Sequence, residues 1–236
     1  MLLRKIIRFA LSKLISLYNF FIPSQNTASD WPLFKEILEK FPKRSDFLDH
    51  LPILFIETLV VKPQLIVELG VRKGLSTFVL ERVAKLTNAL LVSVDIDNCQ
   101  HKPSLPNWIF IKSDDIEFAK NFKSWCQQKG IQPKVDILLI DTSHYFDHTS
   151  EEIKYWFPLL SDKAKVFFHD TNLSTVYKRK DGSLGLGWDN KRGVIRALER
   201  YFQKKFDEKR EFFDYRQGWL IKHAPYCAGF TILEKI

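Results

Sequence analysis

Two apolar runs in this 236-residue chain end in polar segments that could do chemistry. The first run ends at Asp141, with His144 three residues later, and the second ends at His169 and Asp170, with Asn172 close behind. Successive strands joined by one helix usually neighbour each other, so Asp141 and Asp170 should converge at the carboxyl edge of a parallel sheet. Two carboxylates held together repel unless they are protonated or bridged by a cation. Hard oxygen ligands of this kind favour Mg²⁺, Mn²⁺ or Ca²⁺.

The histidines after the first run offer a base. An imidazole has an ordinary pKa of about 6.5 and can take a proton at neutral pH, so we predict that His144 is the general base for a hydroxyl held beside Asp141. His148 lies four residues after His144. A transition-metal site made of His144, His148 and Asp170 is therefore the competing interpretation. In a third interpretation, these histidines have no chemical role and only form hydrogen bonds near the ends of loops.

A glycine turn forms a second candidate site earlier in the chain. It has the spacing E-x-G-x-x-x-G over Glu68, Gly70 and Gly74, with Ser76 just after it. Glycine is needed where the backbone approaches a ligand closely or takes a positive φ. A dinucleotide fold would show G-x-G-x-x-G instead. Asp95 closes the next apolar run, where a carboxylate can accept hydrogen bonds from a ribose diol. This acid-lined turn suits a cationic nucleoside without phosphate.

These ordered segments resemble class I S-adenosylmethionine-dependent methyltransferases. In that family, residues matching Glu68 and Gly70 border the methionine part of the cofactor, and the acid matching Asp95 holds the ribose. Either Asp114 or Asp115 would reach the adenine amine. The cofactor-binding residues implied by the resemblance are Glu68, Gly70, Gly74, Ser76, Asp95, Asp114 and Asp115. The alternative is a structural Rossmann-like turn with ordinary surface acids.

The strand-end acids extend the resemblance to metal-dependent O-methyltransferases of the catechol and caffeoyl-CoA type. It is closer to bacterial relatives that methylate sugars on natural products and glycans. There, acids matching Asp141 and Asp170 hold Mg²⁺, which binds the acceptor oxygen. The second acid of the family's usual pair is missing, so His169 or Asn172 is expected to supply the remaining ligand. His144 stands where catechol-type enzymes carry a lysine base.

The elements that must position these residues follow from the apolar pattern. Short apolar runs alternate with helical stretches, which predicts an α/β, doubly wound Rossmann-like fold with a mostly parallel sheet. The predicted core strands cover residues 65–69, 90–94, 108–111, 137–140 and 166–168, and two tail strands, 219–222 and 229–233, form an antiparallel edge hairpin. The predicted helices lie near residues 33–41, 46–59, 76–86, 116–129, 151–160 and 194–206. Residues 1–60 are assigned to an N-terminal helical extension and residues 61–236 to the methyltransferase domain.

A long segment rich in glycine and basic residues follows Asp170. Long loops in compact domains tend to be functional or disordered. We expect this one to cover a hydroxyl-rich or anionic acceptor, with Trp188 stacking on a sugar face and Arg192 binding the acceptor. A solvated, flexible loop is the alternative. The chain lacks the Asn/Asp-Pro-Pro-Tyr/Phe motif of enzymes that methylate DNA bases, so no nucleic-acid partner is expected.

The charge of +8 arises from 36 Lys and Arg against 28 Asp and Glu. Half of it lies before Asp30, in a segment whose charged residues are Arg4, Lys5, Arg8 and Lys13. Residues 2–22 read as an amphipathic helix that is too charged to span a bilayer, and no signal-peptide cleavage site follows. This helix is expected either to pack on its own domain or on a second copy in a homodimer, or to make peripheral contact with an anionic membrane.

Three cysteines without a C-x-x-C pair argue against a disulfide framework or a structural zinc site, and they favour a reducing, cytoplasmic location. A hydrophobic content of 45% excludes a disordered chain. We therefore predict a metal-assisted S-adenosylmethionine-dependent O-methyltransferase that acts on a hydroxyl of a sugar, glycan or related small molecule. A metal-dependent hydrolase or oxygenase on the same fold is the alternative, as is a non-catalytic nucleoside-binding protein.

Overall fold

The computed structural model describes residues 2–20, 32–41, 45–99 and 105–236. The helices of these residues are α1 (Leu2–Phe20), α2 (Pro32–Lys40), α3 (Leu51–Val61), α4 (Leu75–Thr87), α5 (Asp115–Lys129), α6 (Phe146–Trp156) and α7 (Gly193–Phe202). The strands are β1 (Leu65–Leu69), β2 (Leu90–Asp95), β3 (Trp108–Lys112), β4 (Val135–Ile140), β5 (Leu160–His169), β6 (Val176–Lys178), β7 (Leu184–Leu186), β8 (Phe212–Arg216), β9 (Trp219–Ala224) and β10 (Phe230–Lys235).

Eight of these strands form one sheet in the order β3-β2-β1-β4-β5-β10-β9-β8. The first five are parallel, and β10, β9 and β8 continue the sheet antiparallel. The predicted doubly wound sheet with an antiparallel C-terminal edge is confirmed. The outermost strand, β8, was not predicted. Its residues, 212–216, include two charged side chains and are mostly exposed, so the sequence shows no buried apolar run there.

Helices cover both faces of the sheet. Val67 packs with the layer formed by α5, α6 and α7, whereas Ile66 packs with α2, α3 and α4 on the opposite face. Leu54 of α3 is fully buried in that second layer. Helices α2 and α3 of the predicted N-terminal extension therefore belong to the same core as the sheet.

The long segment after β5 folds into a two-stranded antiparallel hairpin, β6 and β7. Arg179 is buried within it and donates hydrogen bonds to the carbonyl oxygen of Leu184 at 2.7 Å and to the hydroxyl of Tyr177 at 3.3 Å. This part of the predicted loop is thus regular structure, stabilised by a buried cation whose two terminal nitrogens donate hydrogen bonds within the hairpin.

Helix α1 packs on this hairpin through polar contacts. Arg8 donates to the carbonyl oxygen of Gly187 at 2.9 Å. The Asn19 amide donates to the carbonyl oxygen of Leu184 and accepts from its backbone nitrogen. Among the residues described, no helix is long and apolar enough to cross a membrane. The last two residues of the predicted helix, 21 and 22, lie outside the described residues.

A buried glutamate ties the glycine turn to the sheet. Glu68 of β1 accepts hydrogen bonds from the hydroxyls of Ser76, Thr77 and Ser93, at 2.6 to 2.8 Å. These donors lie on α4 and β2, so one carboxyl group links three elements. Burial raises the pKa of Glu68 to about 7, although the three hydroxyls act in the opposite direction.

Gly70, which follows β1, brings this turn against the end of β4. It has a φ of +84°, and a side chain there would overlap the backbone carbonyl oxygen of Asp141. Gly70 is thus required both for its backbone conformation and for this close approach. The two predicted sites are therefore in direct backbone contact.

We predict that Gly70→Ala destabilises the protein more than Gly130→Ala. Both glycines have a positive φ, but nothing lies near the position of a side chain at Gly130. In the control, the free energy of unfolding should fall by about 1 kcal/mol, the cost of a side chain at a positive φ. In Gly70→Ala it should fall by about 1 to 3 kcal/mol more, because the Asp141 backbone must move. Urea unfolding of both variants measures the difference, and equal losses would contradict the close approach.

We also predict a pH-dependent stability difference between the wild type and Glu68→Gln. Because the folded-state pKa of Glu68 is above its ordinary value of 4.5, the folded state binds the proton more tightly. The wild type should therefore lose stability relative to the variant as the pH rises from 5 to 8, by about 2 kcal/mol. Unfolding free energies measured at several pH values test this, and parallel pH curves for the two proteins would refute it.

Candidate functional site

The structure brings Asp141, His144 and Asp170 together where β4 and β5 end. The Nε2 atom of His144 lies 3.0 Å from Oδ2 of Asp170 and 3.8 Å from Oδ1 of Asp141. One potential ligand atom from each residue lies within 4.8 Å of the others. All three side chains are largely buried, which strengthens the electrostatic interactions among them.

The backbone of this cluster is strained. His144 and Asp170 have φ values of +61° and +57°, in the left-handed region that costs non-glycine residues about 1 kcal/mol or more each. Gly193 at the start of α7 comes so close to His144 that a side chain on it would overlap the His144 carbonyl oxygen. The packing of α7 thus helps to hold His144 in its unusual conformation. Such strain concentrates at functional sites.

These residues fit a divalent cation. The two carboxylates are ligands that a hard cation prefers, and the imidazole of His144 lies beside them. The Oδ1 atom of Asp170 is buried and, apart from its 3.3 Å ion-pair contact with Nδ1 of His169, accepts no hydrogen bond from the described part of the chain. A buried carboxylate oxygen without a hydrogen bond is costly, and a cation would satisfy it. Asp141 and Asp170 are therefore suited to hold a metal ion.

His169 supports the carboxylates. Its Nδ1 atom lies 3.1 Å from Oδ1 of Asp141 and 3.3 Å from Oδ1 of Asp170, and the edge of the Phe47 ring packs on it. Burial alone would lower the pKa of His169, but the charges of Asp170 and Asp141 outweigh it and raise this pKa well above its ordinary value. A protonated imidazole has no lone pair for a metal. Without a bound ion, His169 compensates part of the charge of the acids, and its role as a metal ligand stays a prediction.

Two other predicted residues are held elsewhere. The amide nitrogen of Asn172 donates to the carbonyl oxygen of Pro225, at 2.9 Å, so this side chain is tied to the loop before β10. The guanidinium of Arg192 donates to Glu208 at 2.6 Å and to Glu199 at 2.9 Å. Arg192 was expected to bind the acceptor; in the structure these contacts anchor the start of α7.

Trp188 does reach the cluster. Its ring centroid lies 6.1 Å from that of His144 and 5.4 Å from that of Tyr145. The indole is half-buried and packs on a small apolar group that includes Leu173 and Tyr177. The loop residue predicted to stack on a sugar is thus placed beside the predicted base.

The glycine turn borders a cavity of about 520 Å³. Its lining residues include Arg72 and Ser76 from the turn and its helix, and Asp141 from the end of β4. The opposite wall comes from residues 45–47, before α3. This wall could not be predicted from the sequence, because those residues lie in an irregular segment whose position depends on the packing of α2 and α3.

Asp95 holds the turn from the end of β2. Its Oδ2 atom accepts hydrogen bonds from the backbone nitrogens of Val71 and Arg72, at 2.7 and 3.0 Å, and its Oδ1 atom accepts from that of Asp97. Asp95 is only half-buried. This carboxylate therefore orders the turn and remains accessible to a ligand.

The two acids proposed near adenine behave differently. Asp114 caps α5, because its Oδ1 atom accepts from the backbone nitrogens of Ile116 and Glu117 at 3.0 Å. Asp115 instead faces His148 on α6, with 3.0 Å between Oδ1 and Nε2. Its other oxygen is buried and has no hydrogen-bond partner in the ranges described. Asp115 is thus the better placed of the two for a further donor.

His148 belongs to a separate cluster with Asp115 and Glu152. The hydrogen bond to Asp115 raises the pKa of His148 to about 9, and burial raises the pKa of Glu152. Thr142 donates to Glu152 at 2.5 Å. The competing metal site of His144, His148 and Asp170 is therefore not formed. Sequence reasoning missed Glu152, which read as an ordinary acid of an exposed helix.

Comparison with known proteins gives one family and many structures. Residues 67–171 match a family profile described as a methyltransferase domain. No curated protein sequence matches the chain. A methyltransferase from Geobacter sulfurreducens is 13% identical, with a TM-score of 0.52 and coverage of 95% of this chain and 96% of that one. An S-adenosylhomocysteine-bound methyltransferase from Podospora anserina, PaMTH1, is 13% identical, with a TM-score of 0.54 and coverage of 96% of each chain.

A third similar structure is MycE, a methyltransferase of the mycinamycin biosynthetic pathway, in complex with Mg, S-adenosylhomocysteine and mycinamycin VI. It is 19% identical, with a TM-score of 0.55, and the match covers 88% of this chain and 54% of MycE. At these identities the three structures show a shared fold. The family match spans β1 to the end of β5, the segment that carries both the glycine turn and the carboxylate cluster. The resemblance inferred from the sequence is confirmed: residues 67–171 match a methyltransferase domain, and the fold is one that known methyltransferases share.

Proposed function

We propose that the enzyme transfers the methyl group of S-adenosylmethionine to a hydroxyl oxygen of a sugar, glycan or related small molecule. A divalent metal ion, Mg²⁺ in this proposal, assists the transfer. The observation that carries this proposal is the cluster of Asp141, His144 and Asp170 at the sheet edge, next to the glycine turn. A base and a carboxylate pair at one edge suit the activation of a hydroxyl.

The cofactor is assigned to the cavity beside the turn. Asp95 has lone pairs at the end of β2 for the ribose hydroxyls, and Asp115 has a buried oxygen for the adenine amine. Gly70 and Gly74, both with positive φ, shape the turn, while Glu68 and Ser76 bond to each other and hold it in place. Glu68 therefore acts through the turn, since hydroxyls of the chain occupy both its oxygens.

The acceptor is assigned to the other side of the same edge. Asp141 and Asp170 would hold the metal ion, which lowers the pKa of a bound hydroxyl. His144 takes the proton of that hydroxyl on Nε2, where Asp170 stabilises the resulting imidazolium. Trp188 provides an aromatic surface beside His144 for the apolar face of a sugar ring. The complex of MycE with Mg and S-adenosylhomocysteine on a shared fold supports this assignment.

We predict that Asp95→Ala weakens the binding of S-adenosylhomocysteine by about 10- to 100-fold, the effect of losing hydrogen bonds to a charged group. Asp97→Ala is the matched control, since it removes the same charge from an exposed position two residues away. Titration calorimetry measures both affinities. Equal affinities for the two variants would contradict the placement of the ribose.

We predict that His144→Gln lowers the rate of methyl transfer by about 100-fold or more, the usual contribution of a general base. His148→Gln makes the same chemical change outside the cluster and should retain most of the activity. The assay follows labelled methyl groups from S-adenosylmethionine into a glycan extract, and calorimetry checks that both variants still bind S-adenosylhomocysteine. Similar rates for the two variants would remove His144 as the base.

A further inference from the structure

Helix α1 exposes an unusual amount of apolar surface. Large apolar side chains that are mostly accessible occur along its whole length: Ile6, Ile7, Phe9, Leu14, Leu17, Tyr18 and Phe20. Leu14 and Leu17 are 65% and 59% exposed. Contiguous apolar surface of this kind marks an interaction site.

The apolar side of α1 points away from the protein. The contacts to the β6-β7 hairpin come from Arg8 and Asn19. At 100° per residue, these two side chains lie almost opposite Ile6 and Leu17 on the helix. The side that faces the protein carries these two polar residues and the half-buried Leu11 and Ile15, while the larger apolar surface of the helix stays exposed, unlike that of an ordinary surface helix.

The charge of α1 indicates what covers this side. The chain has four cations and no acid before Asp30, and all four are exposed. Lys13 lies among the apolar residues, with its amino group 5.5 Å from the centre of the Phe9 ring. Pairing this helix with a second copy would bring like charges together. Anionic lipid headgroups instead complement exposed cations such as Lys13 and Lys5, while the acyl region accepts the apolar side chains.

We propose that α1 lies in the surface of an anionic membrane, with Ile6, Leu14 and Leu17 inserted at the boundary between headgroups and acyl chains. The attachment of α1 to the hairpin brings the candidate site close to that surface. Arg8 binds the carbonyl oxygen of Gly187, and the next residue, Trp188, packs beside His144. One short segment therefore joins the docking helix to the proposed acceptor site.

Flotation of the full chain with vesicles tests this proposal without any assay of activity. The wild type should float with vesicles of phosphatidylcholine and phosphatidylglycerol, and much less with phosphatidylcholine alone or at high salt. Leu14→Ser/Leu17→Ser should lower the partition coefficient more than about tenfold, because two inserted side chains are lost. Circular dichroism and thermal unfolding check that the variant is folded.

The matched control is Ile53→Ser/Ile56→Ser, which removes two exposed apolar side chains from α3. It should bind the vesicles like the wild type. Equal flotation of all three proteins would overturn the proposal. Absence of flotation would also overturn it, whatever the oligomeric state of the chain. Analytical ultracentrifugation could then show a dimer that Leu14→Ser/Leu17→Ser dissociates. That last result would assign the apolar side to a second copy.

Discussion

Two largely buried carboxylates, those of Asp141 and Asp170, lie side by side where β4 and β5 end, and their mutual repulsion must be compensated. The imidazole of His169 contacts both carboxylates, and so does that of His144. The Oδ1 atom of Asp170 still accepts no hydrogen bond within the described ranges. A cation held by the two acids would reduce their repulsion and satisfy this oxygen.

The fold holds this charged edge of the sheet directly against the glycine turn. Gly70 packs on the backbone of Asp141, and Glu68 fixes the turn to α4 and β2 through three hydroxyls. On the other side of the edge, Gly193 at the start of α7 packs against the left-handed backbone of His144. A methyl donor in the turn and a hydroxyl at the carboxylates would thus be positioned by the same rigid contact, which is what an in-line transfer requires.

Much of this could be predicted from the sequence, because buried parallel strands are continuous apolar runs that end in polar residues. The convergence of Asp141 and Asp170 followed from strand order alone. The roles of Arg192 and His169 could not be predicted. The role of Arg192 is decided by Glu208, 16 residues further along the chain, and such a pairing leaves no local pattern. The role of His169 depends on how its ring is placed between Asp170 and Asp141, which the sequence does not specify. Glu152 was missed for the same reason.

Hairpin β6-β7 and helix α1 show a second limit of sequence reasoning. The glycines and cations of the hairpin segment are typical of a flexible loop, but internal donors of Arg179 make it regular. The amphipathic pattern of α1 predicted a helix without saying which side faces the protein. The polar contacts of Arg8 and Asn19 decide that, and they leave the apolar side outward.

The most direct test of the central claim is Mn²⁺ binding to the purified protein, followed by electron paramagnetic resonance. We expect the wild type to bind one Mn²⁺ that Mg²⁺ displaces, Asp170→Asn to lose this binding, and Glu152→Gln, in the neighbouring acidic cluster, to retain it. Wild-type binding no stronger than that of Asp170→Asn, or binding lost only in Glu152→Gln, would contradict the assignment of the metal ion to Asp141 and Asp170.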